Sequence, residues 1–131
     1  MLNRENIIDI LHKYNFNINN YIVISGAAMV LLGYKEKTND IDIAVTKEYY
    51  DYLLSHYNCT LERINEFNHK VYFIGGIINF SVDYYCNNYI MKNGIPIQKS
   101  EDIITLKQFL NREKDFKDIE LIKRKIKKYP H

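Results

Sequence analysis

The 131 residues are 47% hydrophobic and 26% charged, which predicts one globular domain over residues 1–131 with a buried core. The formal net charge of +2 is too small to indicate a polyanionic partner. No apolar run approaches the ~20 residues of a membrane span and no signal-peptide pattern opens the chain, so we expect a cytoplasmic protein without a membrane partner. Cys59 and Cys86 lack metal-ligand spacing, which predicts two free thiols.

The first half of the chain predicts helix, strand, helix and strand. These elements cover residues 3–14, 21–24, 27–32 and 40–45. Asn3 or Asn6 is available to cap the first helix. The first strand breaks at the Ser25-Gly26 turn, and Gly33 stops the second helix before a polar loop.

The second half predicts one helix, several short strands and a final pair of helices. The helix covers residues 47–57, and the extended segments cover 60–64, 70–74, 78–85 and 95–98. Gly75-Gly76 is a hairpin turn signal. Ser100 and Asp115 are expected to cap the two final helices. The predicted fold is therefore α/β (α+β), a small mixed β-sheet flanked by helices, with its core at 21–98 and a C-terminal helical pair at 100–128.

Asp40 and Asp42 form an Asp-x-Asp pair on the second predicted strand. Alternate residues of a strand share one face, so the two carboxylates lie about 6 to 7 Å apart along it. They repel each other unless a cation lies between them, and a hard ion with oxygen ligands such as Mg²⁺ suits that position. The Ser25-Gly26 turn presents backbone N–H groups at a helix start, which favours a phosphate. Together the two features predict a site for a metal and a phosphate compound.

The order of these residues resembles the nucleotidyltransferase superfamily, the polymerase-β-like fold. Within it, the chain is most similar to small bacterial proteins of the AbiEii-like toxin type and related minimal nucleotidyltransferases. The residues that carry the resemblance are Ser25, Gly26, Gly33, Lys35 or Lys37, Thr38, Asp40 and Asp42. Ser25 stands where the family has its first glycine. A Leu106-Lys107 helix and a corner at 112–118 resemble the ending of the AbiEii-like proteins.

The resemblance implies an enzyme that moves an NMP from an NTP to a hydroxyl of RNA (tRNA) or protein, with Mg²⁺ or Mn²⁺ as cofactor. It implies Asp40, Asp42 and Asp83 as catalytic metal ligands, with Asp83 on the strand at 78–85 also acting as general base. The implied nucleotide-binding residues are Ser25, Gly26 and Lys107, and Asp118 is expected to pair with Lys107 or Arg112. A cognate toxin or antitoxin protein is a further implied partner.

Two alternatives remain at the level of sequence. The chain could be a catalytically inactive nucleotidyltransferase-fold module, antitoxin-like or regulatory, that binds another protein. It could also bind RNA through its basic C-terminal end, although cations there stabilise any helix C-terminus. The basic residues are Lys123, Arg124, Lys125, Lys127 and Lys128.

Overall fold

The structure, a computed structural model, describes residues 1–82 and 88–128. Within these ranges, five helices and one seven-stranded mixed sheet form an α/β architecture. The helices are α1 (Arg4–Tyr14), α2 (Ser25–Leu31), α3 (Lys47–His56), α4 (Ser100–Leu110) and α5 (Glu113–Lys128). The strands are β1 (Tyr21–Ile24), β2 (Ile41–Val45), β3 (Cys59–Ile64), β4 (Lys70–Ile74), β5 (Ile78–Val82), β6 (Tyr89–Lys92) and β7 (Ile95–Gln98).

The sheet has the strand order β3-β4-β5-β2-β1-β7-β6. Strand β2 is central: it runs antiparallel to β1 and parallel to β5. Its register places Ile24 of β1 on one side of Asp42 and Asn79 of β5 on the other. The sheet therefore brings the end of β1, the Asp-x-Asp pair and the polar face of β5 together.

The core lies between this sheet and the helices packed on it. Helix α2 is buried along nearly its whole length, from Ala27 to Leu31. Ile7 and Leu11 of α1 are buried as well, as are the strand residues Ile43 and Phe80. A helix with apolar residues on every side requires cover on every side, which explains why α2 lies between the sheet and its neighbours.

The N-terminus fixes the loop that precedes β2. Asn3 caps α1, and Asn6 returns a hydrogen bond to its backbone, completing a capping box. Just before this cap, Leu2 exchanges two backbone hydrogen bonds with Thr38, at N···O distances of 2.7 and 2.9 Å. The loop that leads into Asp40 is therefore tied to α1.

Strand β6 was missed at the level of sequence. It pairs with β7 through a turn at Asn93 and Gly94, with φ of 54° and 73°. Asn-Gly in this conformation is a strong hairpin signal, but all four residues of β6 are exposed, so no apolar alternation marks the strand. The Gly75-Gly76 turn, with φ of 61° and 69°, confirms the other predicted hairpin.

The two predicted caps of the C-terminal helices are wrong. Ser100 is the first residue of α4, and its hydroxyl bonds to the hydroxyl of Tyr34 instead. Asp115 lies inside α5, which begins at Glu113, and its carboxylate accepts the backbone N–H of Arg112 at 3.1 Å. A carboxylate at the third helical position can reach back to the residue before the helix, so taking Asp115 as the cap places the helix start three residues late.

Three other expectations concern the remaining surface and the thiols. Phe116, Ile119, Ile122 and Ile126 recur at helical spacing, which predicts an apolar stripe on α5. Ile119 and Ile122 are buried, but Phe116 and Ile126 are 53% and 47% exposed. Cys59 is a free thiol, and Cys86 lies outside the described residues. None of the helices in 1–82 and 88–128 is long and apolar enough to cross a membrane.

A charge network joins α4 to α5. The Lys107 ammonium lies 2.9 Å from Asp118 and 3.4 Å from Asp115, which confirms the expected pairing of Asp118 with Lys107. Asp115, completely buried, also accepts from the Arg112 guanidinium at 2.7 and 3.1 Å, and Asp118 pairs with Lys35 at 2.9 Å. Burial alone would raise the pKa of Asp115, but hydrogen bonds from Arg112 and the charge of Lys107 hold it below its ordinary value. The corner therefore depends on Asp115 remaining ionised.

We expect Asp115→Ala to lower the free energy of unfolding by about 3 to 5 kcal/mol, because the buried Lys107 loses one of its two carboxylate partners and Arg112 loses the carboxylate that binds it at two atoms. Asp51→Ala is the matched control, since the Lys47–Asp51 pair is more than 60% exposed at both ends and is expected to contribute less than about 1 kcal/mol. Urea unfolding measures both changes. Equal effects for the two variants would contradict a structural role for the network.

Candidate active site

A cleft of about 420 Å³ lies where β1, β2 and β5 face α4 and α5. A volume of this size is within the range of small-molecule sites. One wall, on the sheet, carries carboxylates and amides, and the other wall carries cations from the C-terminal helices. The polar residues of the sheet wall are Ser25, Asp40, Asp42, Asn79, Ser81 and Gln98. The cations lining the cleft are Lys35, Arg63, Lys107, Arg112, Lys114 and Lys117.

The Ser25-Gly26 turn lies at the end of β1, beside Asp42. Ser25 has a φ of 57°, the left-handed conformation that favours glycine. Its backbone N–H donates to the side-chain oxygen of Gln98 at 3.3 Å, and Gln98 is completely buried at the end of β7. A serine therefore holds a backbone conformation that favours glycine, and Gln98 helps to fix it.

Gly26 is required by a close approach. A Cβ at this position would lie 2.8 Å from the hydroxyl oxygen of Thr38. Thr38 cannot withdraw easily, because its backbone is bonded to Leu2. The glycine therefore allows the loop before the Asp-x-Asp pair to pack directly on the turn.

Asp40 and Asp42 are bridged by one side-chain amide. The Nδ2 of Asn79 donates to Asp40 Oδ2 at 3.1 Å and to Asp42 Oδ1 at 2.8 Å. Asn79 is only 4% exposed, and its register position is directly beside Asp42. The expected convergence of the two carboxylates on one face is thus present, with a neutral donor between them.

The environment of Asp42 disfavours its negative charge. Burial raises its pKa to about 6, and the charge of Asp40 adds to the rise, while the hydrogen bond from Asn79 opposes it. Structural carboxylates usually show the opposite direction, as Asp115 does. A carboxylate with a raised pKa in a cleft is typical of a functional site.

Lys107 lines the cleft, but its charge is already compensated. It is 7% exposed and pairs with Asp115 and Asp118, as described above. Its contact with nucleotide phosphates stays a prediction. Lys114 and Lys117 line the same wall, are exposed, and form no ion pair with any described residue. The sequence reasoning included both in the corner at 112–118 but assigned neither of them a function, since lysines in a first helical turn carry no special signal.

The third predicted carboxylate, Asp83, lies outside the described residues, and its role stays a prediction. Val82, the last described residue of β5, pairs with Val45, three residues beyond Asp42. Within 1–82 and 88–128, no three His, Cys, Asp or Glu side chains group together as a metal site. The residue beside Asp42 is Asn79, which the sequence reasoning placed on the polar face of β5 without assigning it a function.

Two contacts join the β3–β4 hairpin to the α4–α5 corner beside the cleft. Glu66 lies 3.5 Å from the Arg112 guanidinium, and both side chains are more than a third exposed. Beside this pair, the rings of Phe67 and Phe109 stack with centroids 5.4 Å apart. Glu66, Phe67 and Arg112 also line the cleft, so these contacts join the hairpin to the corner at its wall.

No protein-family model matches this sequence, and the curated proteins contain no match either. The functional interpretation therefore depends on the geometry of the cleft.

We expect Asp42→Asn to raise the free energy of unfolding of the metal-free protein at pH 7.5 by about 1 to 3 kcal/mol. The pKa of about 6 lies above the ordinary carboxyl value, so the folded state binds more protons than the unfolded state between about pH 4 and pH 6. Stability contributed by the protonated form is therefore lost as the pH rises through this window. Urea unfolding with a chelator tests this.

The same comparison at pH 4 is the control, because the folded state then carries a protonated Asp42 without a buried charge, and the advantage of asparagine should shrink. A lower stability of Asp42→Asn at pH 7.5 would contradict the unfavourable burial of this charge.

We expect Ser25→Gly to stabilise the protein by about 0.5 to 1 kcal/mol. The left-handed conformation costs a non-glycine residue about 1 to 2 kcal/mol, and the greater freedom of glycine in the unfolded chain removes part of that gain. Ser25→Ala is the matched control, since it keeps the Cβ and should bring no gain. Thermal unfolding of the three proteins measures the difference, and a loss of stability in Ser25→Gly would sink the idea.

Proposed function

We propose that this chain is a metal-dependent nucleotidyltransferase of the polymerase-β-like fold, similar to AbiEii-like and minimal nucleotidyltransferases. It would move an NMP from an NTP to a hydroxyl of RNA, such as a tRNA, or of a protein. The observation that carries the proposal is the convergence of Asp40 and Asp42 in a cleft, one strand away from the Ser25-Gly26 turn. A wall of cations faces them.

The topology supports the proposal beyond the motif itself. The turn joins β1 to α2, and the chain then returns as β2, antiparallel to β1, with Ile24 paired to Asp42. This register follows from backbone pairing and needs no assumption about a ligand. It places a phosphate-compatible turn and a metal-compatible carboxylate pair on neighbouring strands, as the proposed reaction requires.

The residues present fit a divalent cation. The donors facing the cleft are oxygens, which suit Mg²⁺ or Mn²⁺. Asp40 and Asp42 would hold it, and the amide oxygen of Asn79 is buried without a hydrogen-bond partner among the described residues. When bound, such an ion neutralises charge on the triphosphate and on the leaving pyrophosphate.

The other side chains position the nucleotide. The absence of a side chain at Gly26 lets a phosphate group approach the backbone of the turn. Gln98 holds the turn through the Ser25 N–H, and Lys114 and Lys117, which form no ion pair within 1–82 and 88–128, offer their charges to phosphates from the opposite wall. Asp83 stays the predicted general base, accepting the proton of the acceptor hydroxyl.

A catalytically inactive binding module is the second candidate. The position beside Asp42 carries the neutral Asn79, and this favours a site with less charge than three carboxylates provide. Such a module would keep the cleft but would not transfer a nucleotide.

We expect label from α-labelled NTPs to appear in tRNA or in host lysate protein with Mg²⁺, and we expect Asp42→Ala to reduce the transfer at least about a thousandfold. Removal of a metal-binding carboxylate abolishes the charge stabilisation of the transition state. Asp51→Ala is the control, as a carboxylate on the surface helix α3 that should leave transfer unchanged.

The nature of the labelled product identifies the acceptor class. Full transfer by a folded Asp42→Ala protein would overturn the mechanism. No transfer with any NTP, together with Mg²⁺-dependent NTP binding in calorimetry, would favour the inactive module.

A further inference from the structure

The side-chain amide of Asn79 is buried in the cleft, and only one of its two polar ends forms hydrogen bonds with described residues. Its Nδ2 bridges Asp40 and Asp42, and its Oδ1 accepts no hydrogen bond from any described residue. Asn79 is 4% exposed, so this oxygen has also lost most of its access to water. An unpaired buried acceptor is unfavourable and is unusual away from functional sites.

The NH₂ group of Asn79 occupies the position between the two carboxylates where a positive charge would stabilise them. Two neighbouring carboxylates repel, and the partial positive charge of one NH₂ group is the only side-chain donor that bonds both of them among the described residues. A divalent cation between Asp40 and Asp42 would compete for this position. It would also reverse the preference of the amide, because its oxygen is attracted to a cation and its NH₂ group is repelled.

We propose that Asn79 is a ligand of the metal site and the third member of the Asp40–Asp42 pair, through rotation of its side-chain amide. In the metal-free protein the NH₂ group faces the carboxylates. With a divalent cation bound, the amide turns by 180° and presents Oδ1. The two amide ends are nearly equal in size, so the rotation needs little space. This inference rests on the proposed function for the existence of the metal site, but it can be tested without nucleotide transfer.

The consequence is a site with two negative charges and one neutral oxygen. Fewer charged ligands reduce the affinity for a divalent ion. The substrate phosphates must then supply more of the coordination, so the ion is expected to bind mainly together with the triphosphate.

The test measures Mn²⁺ binding by electron paramagnetic resonance and calorimetry, without nucleotide, in the wild-type protein and in Asn79→Leu. Leucine is similar in size but offers no oxygen. We expect the affinity to fall about tenfold or more in Asn79→Leu, in line with the loss of a metal-site partner. If Asn79 only separates the carboxylates, its removal leaves them unbridged, and the affinity will be equal or higher. That result would overturn the inference.

Asp83→Asn is the matched comparison. A tenfold loss in that variant with unchanged affinity in Asn79→Leu would assign the third ligand to Asp83 and overturn the inference. Absence of Mn²⁺ binding to the wild type at millimolar concentration would overturn both this inference and the proposed function. Binding that depends on Asn79 without any nucleotide transfer would support the inference and count against the proposed reaction.

A second measurement covers the case in which Asn79→Leu does not fold. The side-chain NH₂ resonances of Asn79 in ¹⁵N-labelled protein, identified by their absence in Asn79→Asp, report its hydrogen bonds directly. We expect Mg²⁺ to shift them toward values typical of an NH₂ group without carboxylate partners. Resonances that stay in place at a Mg²⁺ concentration that saturates the site would contradict the rotation.

Discussion

The repulsion between Asp40 and Asp42 is the constraint around which the centre of the sheet is built. Strand β2 places them on one face, and the sheet removes Asp42 from much of its water. Coulomb repulsion between such groups grows as the surroundings become less polar. The protein offsets it with a single amide from β5, held there by the parallel pairing of Asp42 with Asn79. The charge of Asp42 therefore opposes folding, and one neutral amide offsets only part of that cost.

The carboxylates of the C-terminal helices have the opposite electrostatic environment from Asp42. There, two buried carboxylates and the buried Lys107 are paired so completely that the pKa values of Asp115 and Asp118 are lowered. Lys35 extends this network to the loop after α2, and Lys125 donates to the carbonyl of Gly33 at the end of the same helix. The C-terminal helices are thus attached to the segment between the turn and the Asp-x-Asp pair. Ion pairs therefore hold the wall formed by the C-terminal helices. On the facing wall, the charges of Asp40 and Asp42 share one neutral hydrogen-bond donor.

Sequence reasoning identified most of the elements because their signals are local. The apolar runs of β1 and β5 and the glycine-rich hairpin turn correspond to strands and a turn of the structure. Strand β6 was missed because an exposed strand has no alternating pattern, and the start of α5 was misplaced because its cap reaches backward from Asp115. The contact of Asn79 with Asp42 depends on strand register, which pairs residues 37 positions apart. Neither segment alone carries a sequence pattern that predicts this pairing. The conformation of Ser25 likewise depends on tertiary support from Gln98.

The two contacts between the β3–β4 hairpin and the α4–α5 corner bear on the size of ligand that the cleft accepts. An exposed ion pair such as Glu66–Arg112 contributes less than about 1 kcal/mol, and an aromatic pair such as Phe67–Phe109 about 1 kcal/mol. Glu66, Phe67 and Arg112 line the cleft, so a ligand too large for it would have to separate the hairpin from the corner and supply that energy through its own contacts. A ligand that fits within about 420 Å³ would meet no such cost, so the two contacts would favour small ligands over large ones.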